Sequence, residues 1–536
     1  MSTQIHTPVE KNSGKGFWDG VRKDVFIPGI ILFSIAAIIG IVNNKALTQS
    51  SQAFFTWSLE NFGWLYQYAL MSSTILVAII TFSKVGNIKL GGAEAQPKYP
   101  FWTWFAMTLT GGVATGIVTW GVNEPLIYYG NVWGELDTLG ITPFTAEAAR
   151  FAMGRSFYNW TFMPYSIYAL CGVLVAYLYF NKKQKLNITA TLQPVFGQRI
   201  TKGVLSSCVD CLSMLALGVG ICGGLAMCIT LVVTGLRTYG IQESIPLFVL
   251  IGVVLIASFT FSSYIGMDKG LKVLGSLNAW FYYGILVLLL FTGPMLFILC
   301  NSTAGLAVWL HQFWLWGLDP IDIGGAALTR SWTLFDWACW IAYAPVTGIF
   351  LAMMARGRTI REFLVVNWIL PSVFGLIWFS IWGNSALYMQ MTGTADLVGA
   401  IKEGGAVMAL WEFLKHLPFG LGAIVIPVNI IIIFISFVTA ADATLTNVGS
   451  MCMKDVPIGT EPPGFIKIIW GIIIGVVAVV MAAFGGGAQG VDGVKALATA
   501  GGFLVLFIFL FQIIAACKVF FTQKASSDVV DVKEED

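Results

Sequence analysis

Trp160, Tyr165 and Tyr168 stand five and three residues apart in the stretch FYNWTFMPYSIY. At 3.6 residues per turn they share one broad face of a helix. A second aromatic series, Trp337, Trp340 and Tyr343, opens the run WTLFDWACWIAYAPVTGIF, which ends in the basic cluster Arg356, Arg358 and Arg361. Facing each other, two such helices would enclose a box of ring faces. A box of this kind suits a cation that cannot donate hydrogen bonds, such as a methylated ammonium, with each ring worth roughly 0.5–2 kcal/mol depending on desolvation. The competing reading is that Trp and Tyr mark the interfacial belts of membrane helices, and most of the 20 tryptophans fit that reading. Trp160 and Trp340 lie several residues inside apolar runs, which favours the box.

The elements that must position these rings follow from composition. The chain has 536 residues, 57% hydrophobic and 11% charged, against about 25% charged in soluble domains. That is a polytopic membrane protein embedded in a lipid bilayer, with no room for a large soluble domain. A net charge of +2, with the basic residues spread over short loops, implies no nucleic-acid partner. The nine cysteines sit mostly in apolar runs, and the three histidines are scattered. No metal site, cofactor or catalytic constellation is implied, so the chain does not read as an enzyme. A channel would need rings of polar residues along a pore, whereas the intramembrane charges are few and unaligned. The polar N-terminus lacks a cleavable signal pattern.

Apolar segments long enough to cross about 30 Å of hydrocarbon fall near 25–43, 62–83, 101–122, 157–181, 204–235, 245–265, 273–300, 331–355, 363–390, 418–447, 465–485 and 496–521. Twelve spans put both termini on one side, and most Lys and Arg fall on that side, which makes it cytoplasmic. The expected organisation is a cytoplasmic segment 1–24, a transport unit 25–521, and a short acidic, disordered cytoplasmic tail 522–536. Gly111, Gly112 and Gly116 interrupt span 3, and Pro345 and Gly348 interrupt span 8. Interruptions five spans apart predict inverted five-helix repeats, spans 3–7 and 8–12, each led by an unwound helix. Tight helix packing is the plainer use of any single glycine. Residues 143–155 and 304–316 predict surface helices on the outer side.

The sequence resembles the betaine/choline/carnitine transporters from about residue 20 to 520. The marks that carry the resemblance are WTLFDWACWIAYAP, ARGRTIREF, WGVNEPLIYY, GRSFYNWTFMPYSIY and GMDKGLKVLGSLN. The resemblance implies an all-α integral membrane fold with a LeuT-type five-helix inverted repeat plus two N-terminal helices. It also implies a homotrimer in the cell inner (plasma) membrane and transport of small trimethylammonium compounds such as glycine betaine, carnitine or butyrobetaine by alternating access. The family's aromatic box falls on Trp160, Tyr165, Tyr168 and Trp340, with Phe335, Cys339 and Tyr343 added to the candidate lining. Tyr165 and Cys339 stand where the family usually has Trp.

The departures bear on coupling. Sodium-coupled members carry hydroxyls that are reduced here to Thr110, Thr115 and Thr439, since Ala440 follows Thr439 and the span 5 segment reads LGVGICGGL. Na+ therefore remains a candidate partner with weakened sites. Sodium-independent exchangers of the family replace the last Asn of the signature with Arg, but Asn278 is unchanged. Proton-coupled choline members place Asp where Gly116 stands. Symport, substrate/product exchange and proton coupling all stay open. Asp336 either serves a cation or proton or pairs with Arg330. Glu124 and Asp442 read as structural carboxylates, with Glu124 also a gating candidate. Arg356 and its neighbours read either as an inner anchor or as part of a gate.

Overall fold

In the computed structural model, residues 18, 20–112, 116–265, 267–319, 328–454, 462–484 and 491–521 are described. They are helical almost throughout, with only two isolated β-bridges, Val21 to Met453 and Lys89 to Thr359. The helices in chain order are α1 (Lys23–Val42), α2 (Asn44–Phe82), α3 (Phe101–Gly112), α4 (Gly116–Gly130), α5 (Ala146–Trp160), α6 (Phe162–Phe180) and α7 (Ile188–Phe196). Then follow α8 (Gly203–Arg237), α9 (Ile245–Ile265), α10 (Met267–Thr292), α11 (Met295–Gly317), α12 (Leu334–Met353), α13 (Ile360–Leu364) and α14 (Leu370–Met391). The last are α15 (Leu397–Gly404), α16 (Met408–Lys415), α17 (Gly422–Met451), α18 (Gly464–Phe484) and α19 (Val491–Phe520).

Among the described residues, eleven helical runs are long and apolar enough to cross a membrane. They include α11 and leave out two: α3–α4, between which residues 113–115 are not described, and α10, whose apolar part is Trp280–Thr292. Reading α11 as a surface helix and restoring those two gives twelve spans. α11 lies across α5 and α14. At its crossing, a Cβ on Gly154 would stand 2.9 Å from the Gly305 carbonyl oxygen, so the two backbones touch.

The packing carries the inverted repeat. α12 packs on α6 as α4 packs on α14, α19 on α8 as α10 on α17, and α8 on α18 as α17 on α9. Exchanging spans 3–7 for 8–12 maps each of these pairs onto its counterpart. α1 and α2 stand outside that symmetry, and α2 lies along α19 and α6.

Three local expectations are corrected. α12 runs unbroken through Pro345 and Gly348; bilayer helices tolerate proline where neighbours satisfy the freed carbonyl. The irregular backbone lies earlier, in a π-helical turn over Thr329–Thr333. The segment 143–155 is no surface helix, since α5 is buried from Phe151 onward. Its charge misleads because Arg155 finds its partners inside the fold, although its buried Nε has none. The guanidinium donates to Thr329 and Thr333 at 2.8 and 2.7 Å and lies over the Trp316 ring at 4.8 Å. The predicted 304–316 helix begins earlier, at Met295. Gly111 and Gly112 end α3 and Gly116 opens α4, while residues 113–115 between them lie outside those described. The tail 522–536 and residues 1–17 lie there too.

Candidate substrate site

Trp340 on α12 is the hub. Its ring centroid lies 4.9 Å from that of Tyr168, 5.0 Å from Tyr165 and 6.2 Å from Trp160. All four side chains are buried. The route to this geometry differs from a single helical face. Trp160 ends α5, Thr161 leaves helical geometry (φ −122°, ψ −119°), and α6 starts at Phe162. Pro164 supplies the cause, because a proline ring clashes with the carbonyl four residues earlier, here that of Trp160. Phe379 of α14 adds a fifth ring, 5.7 Å from Trp160. No sequence signal tied span 9 to the box.

These rings touch one another. A cation bound by this cluster would lie within about 6 Å of several centroids. Sandwiching it between Trp340 and Tyr168 would require that pair to part.

The rest of the lining is uneven. Tyr343 is half-buried and lies against α8, where a Cβ on Gly220 would meet its ring at 2.9 Å. The glycines of LGVGICGGL thus make room for an aromatic ring, which gives a physical reason for the missing hydroxyls. Cys339 is half-buried beside Tyr168 and Tyr343. Phe335 packs edge-on against Phe55 of α2 at 6.0 Å.

Above the box, Trp332 stacks on Trp133 at 5.9 Å and meets Trp120 and Tyr128 edge-on at 5.7 Å each. Its Nε1 donates to Glu135 at 3.2 Å. Burial pushes the Glu135 carboxyl up from its ordinary value. This outer aromatic cluster was not anticipated, although the WGVNEPLIYYGNVW stretch held its signal.

A model of the family described as "BCCT, betaine/carnitine/choline family transporter" matches residues 24–525. The chain belongs to this transporter family. It is 30% identical over 473 residues to the ectoine/hydroxyectoine transporter of Virgibacillus pantothenticus, covering 87% of this chain and 91% of that one. It is 29% identical over 466 residues to the glycine betaine transporter OpuD of Bacillus subtilis, covering 85% and 87%. It is also 29% identical over 483 residues to the betaine/ectoine transporter LcoP of Corynebacterium glutamicum, covering 87% and 73%. Members of the betaine/carnitine/choline family are transporters, not enzymes, and this one is a multi-pass membrane protein.

The remaining candidates separate into framework and open cases. Asp336 is buried in the first turn of α12, near Tyr128. Thr439 Oγ1 donates to the Ile435 carbonyl at 2.8 Å, leaving its lone pairs as the only ligand it offers. Thr115 and the side chains of Thr110 and Asn278 lie outside the described residues. In the basic cluster, Arg361 caps the end of α2 through the Thr81 and Ser83 carbonyls at 2.9 and 3.0 Å. Arg358 donates to the Tyr99 carbonyl at 2.7 Å and lies 4.8 Å over Trp104. Both staple the α2–α3 connection to the α12–α13 turn; Arg358 is buried, whereas Arg356 and Arg361 are exposed. Asp442 is buried and accepts from Ser262 at 2.9 Å.

Proposed function

We propose that this transporter carries a small quaternary (trimethyl) ammonium compound, such as glycine betaine or carnitine/butyrobetaine, by secondary active alternating access. The observation that supports it is the convergence of Trp160, Tyr165 and Tyr168 on Trp340 in a buried site. A trimethylammonium group has no N–H to satisfy, so burying it against π faces leaves nothing unpaired. Betaine-like zwitterions are preferred over choline, because Gly116 brings no acid into the box. The relatives named for ectoine favour a second guest. Ectoine is a cyclic zwitterion whose cationic N–H groups find acceptors in hydroxyls such as that of Tyr165.

The reading carries its setting with it: residues 25–521 as the transport unit, both termini cytoplasmic, a plasma-membrane location and a homotrimer. Sodium symport is the first coupling scheme, with Thr110, Thr115 and Thr439 as ligands. Sodium-independent exchange and proton coupling are the alternatives, and Asp336, Glu124, Asn278 and Arg356 are the coupling and gating candidates.

The test is uptake of labelled betaine, carnitine, choline and ectoine into proteoliposomes, with and without a sodium gradient and with each compound preloaded inside. Replacing Trp340 with Ala is expected to abolish saturable uptake. Taking one ring face away from the cation costs roughly 0.5–2 kcal/mol, and this ring also holds three others in place. Near-normal affinity in that variant rejects the box.

A further inference from the structure

Glu124 is fully buried on α4, and its carboxylate accepts from three donors. Tyr128 Oη and Asn159 Nδ2 donate to Oε1 at 2.8 and 2.9 Å, and the indole Nε1 of Trp160 donates to Oε2. Three donors meeting one carboxyl match the acceptor-only, ionised form. The donors are themselves aligned. Arg155 donates to Thr333 Oγ1 at 2.7 Å, and Thr333 donates to Asn159 Oδ1 at 3.0 Å. That bond fixes the Asn159 amide so that its NH2 faces Glu124. Every link points the same way, from the Arg155 guanidinium toward Glu124, and such chains polarise one another.

The carboxylate on which the chain ends also accepts from a ring of the box, that of Trp160. An anion accepting the indole N–H pushes electron density into the π system, and its charge acts across the ring on whatever lies against the face. We infer that Glu124 is the positioning residue that makes Trp160 a cation-selective wall. It pins the indole at its outer edge and supplies the negative charge felt on the guest side, without touching the guest. This rests on the reading of the aromatic box as the headgroup site.

The two natural alternatives for a buried carboxylate are framework bonding and direct contact with substrate. Framework bonding alone would leave affinity for guests with and without a cationic headgroup equally dependent on Glu124. Direct contact is disfavoured because Tyr128, Asn159 and Trp160 together engage both carboxylate oxygens. The indole acting as intermediary is what distinguishes the proposal.

The test uses the purified full chain and two ligands of one shape. Glycine betaine carries the trimethylammonium group, and tert-butylacetate replaces its N+ by carbon. Glu124→Gln is expected to weaken betaine binding by at least about tenfold, a charge effect at a low-dielectric site, while competition by tert-butylacetate stays the same or improves. In a Trp160→Phe background, whose ring donates no N–H to the carboxylate, only the through-space charge remains, so the same substitution is expected to cost clearly less betaine affinity than in the parent. Unchanged betaine affinity in Glu124→Gln, equal losses for both ligands, or an equal effect in both backgrounds overturns the inference. Should Glu124→Gln fail to yield folded protein, Glu124→Asp keeps the charge but shortens its reach; a loss confined to betaine supports the inference, and a shared loss or none overturns it. Trp340→Ala is the separating control. If it retains betaine binding, the box reading fails. If it loses binding while Glu124→Gln does not, only the role of Glu124 falls.

Discussion

The leading helices of the two repeats, α4 and α12, use glycine for opposite purposes. On α4 the space goes to rings: a Cβ on Gly116 would stand 3.2 Å from Cη2 of Trp160, and one on Gly121 would stand 2.8 Å from Nε1 of Trp378. On α12 the space goes to backbone: a Cβ on Gly348 would stand 2.7 Å from Cβ of Cys171 and 3.0 Å from N of Gly172 on α6. Symmetry-related helices, α4 with three glycines and α12 with one, therefore respond differently to the same insult. A ring swings about its side-chain torsions, but a helix backbone does not.

The largest effect is expected at Gly348. An alanine there pushes α12 off α6 over the segment that also presents Trp340, and overpacking of this kind costs about 1–3 kcal/mol. Thermal unfolding of the purified transporter measures it. A variant as stable as the parent would show that the α6–α12 interface yields as easily as the rings beside α4, and the contrast would vanish.

Gly121 comes next. Its added methyl meets the edge of Trp378, whose Nε1 donates to the Ile117 carbonyl at 2.8 Å. The ring moves only by stretching that bond, so Gly121→Ala is expected to cost about 0.5–1.5 kcal/mol. Tryptophan emission should shift with it. A loss as large as that at Gly348 would mean that Trp378, which also stacks on Trp382 at 5.0 Å, is held as rigidly as backbone.

The same contrast explains what the sequence revealed and what it withheld. Residue type carried the box, because Trp160, Tyr165, Tyr168 and Trp340 bring the same chemistry whatever the exact path of the backbone. The path itself was not legible. Pro164 and Pro345 look alike in sequence, yet the helix breaks just after Trp160, four residues before Pro164, and continues through Pro345. Which outcome follows depends on neighbours: Gly375 of α14 approaches the Trp160 carbonyl oxygen, where a Cβ would stand 3.2 Å away. Arg155 misled for a related reason. Its polarity signalled a surface, and its partners Thr329 and Thr333 lie more than 170 residues further along the chain. Glu124 was visible as a carboxylate, but its bond to Trp160 joins α4 to α5 and needed the fold. Phe379 could be linked to the box only by the packing of α14.

The smallest effect on stability is expected at Gly116, where the consequence for binding is sharpest. A methyl at 3.2 Å from Cη2 of Trp160 asks the indole to give by a few tenths of an ångström. That shift is too small to unfold anything, so the stability change should stay within about 0.5 kcal/mol. The indole is not free to take it up wherever it likes, because its Nε1 is tied to Glu124. The benzo edge must instead tilt about that tether, which turns the face relative to Trp340, 6.2 Å away. Betaine affinity should fall about three- to tenfold, since the attraction to a ring face depends on the cation lying squarely over it. In combination with Glu124→Gln the tether is gone, and Gly116→Ala should then cost less than it does alone. Unaltered betaine affinity in Gly116→Ala together with a lowered unfolding temperature would mean that this glycine, like Gly348, serves packing, and that α4 and α12 do not differ in the way their rings and backbones suggest.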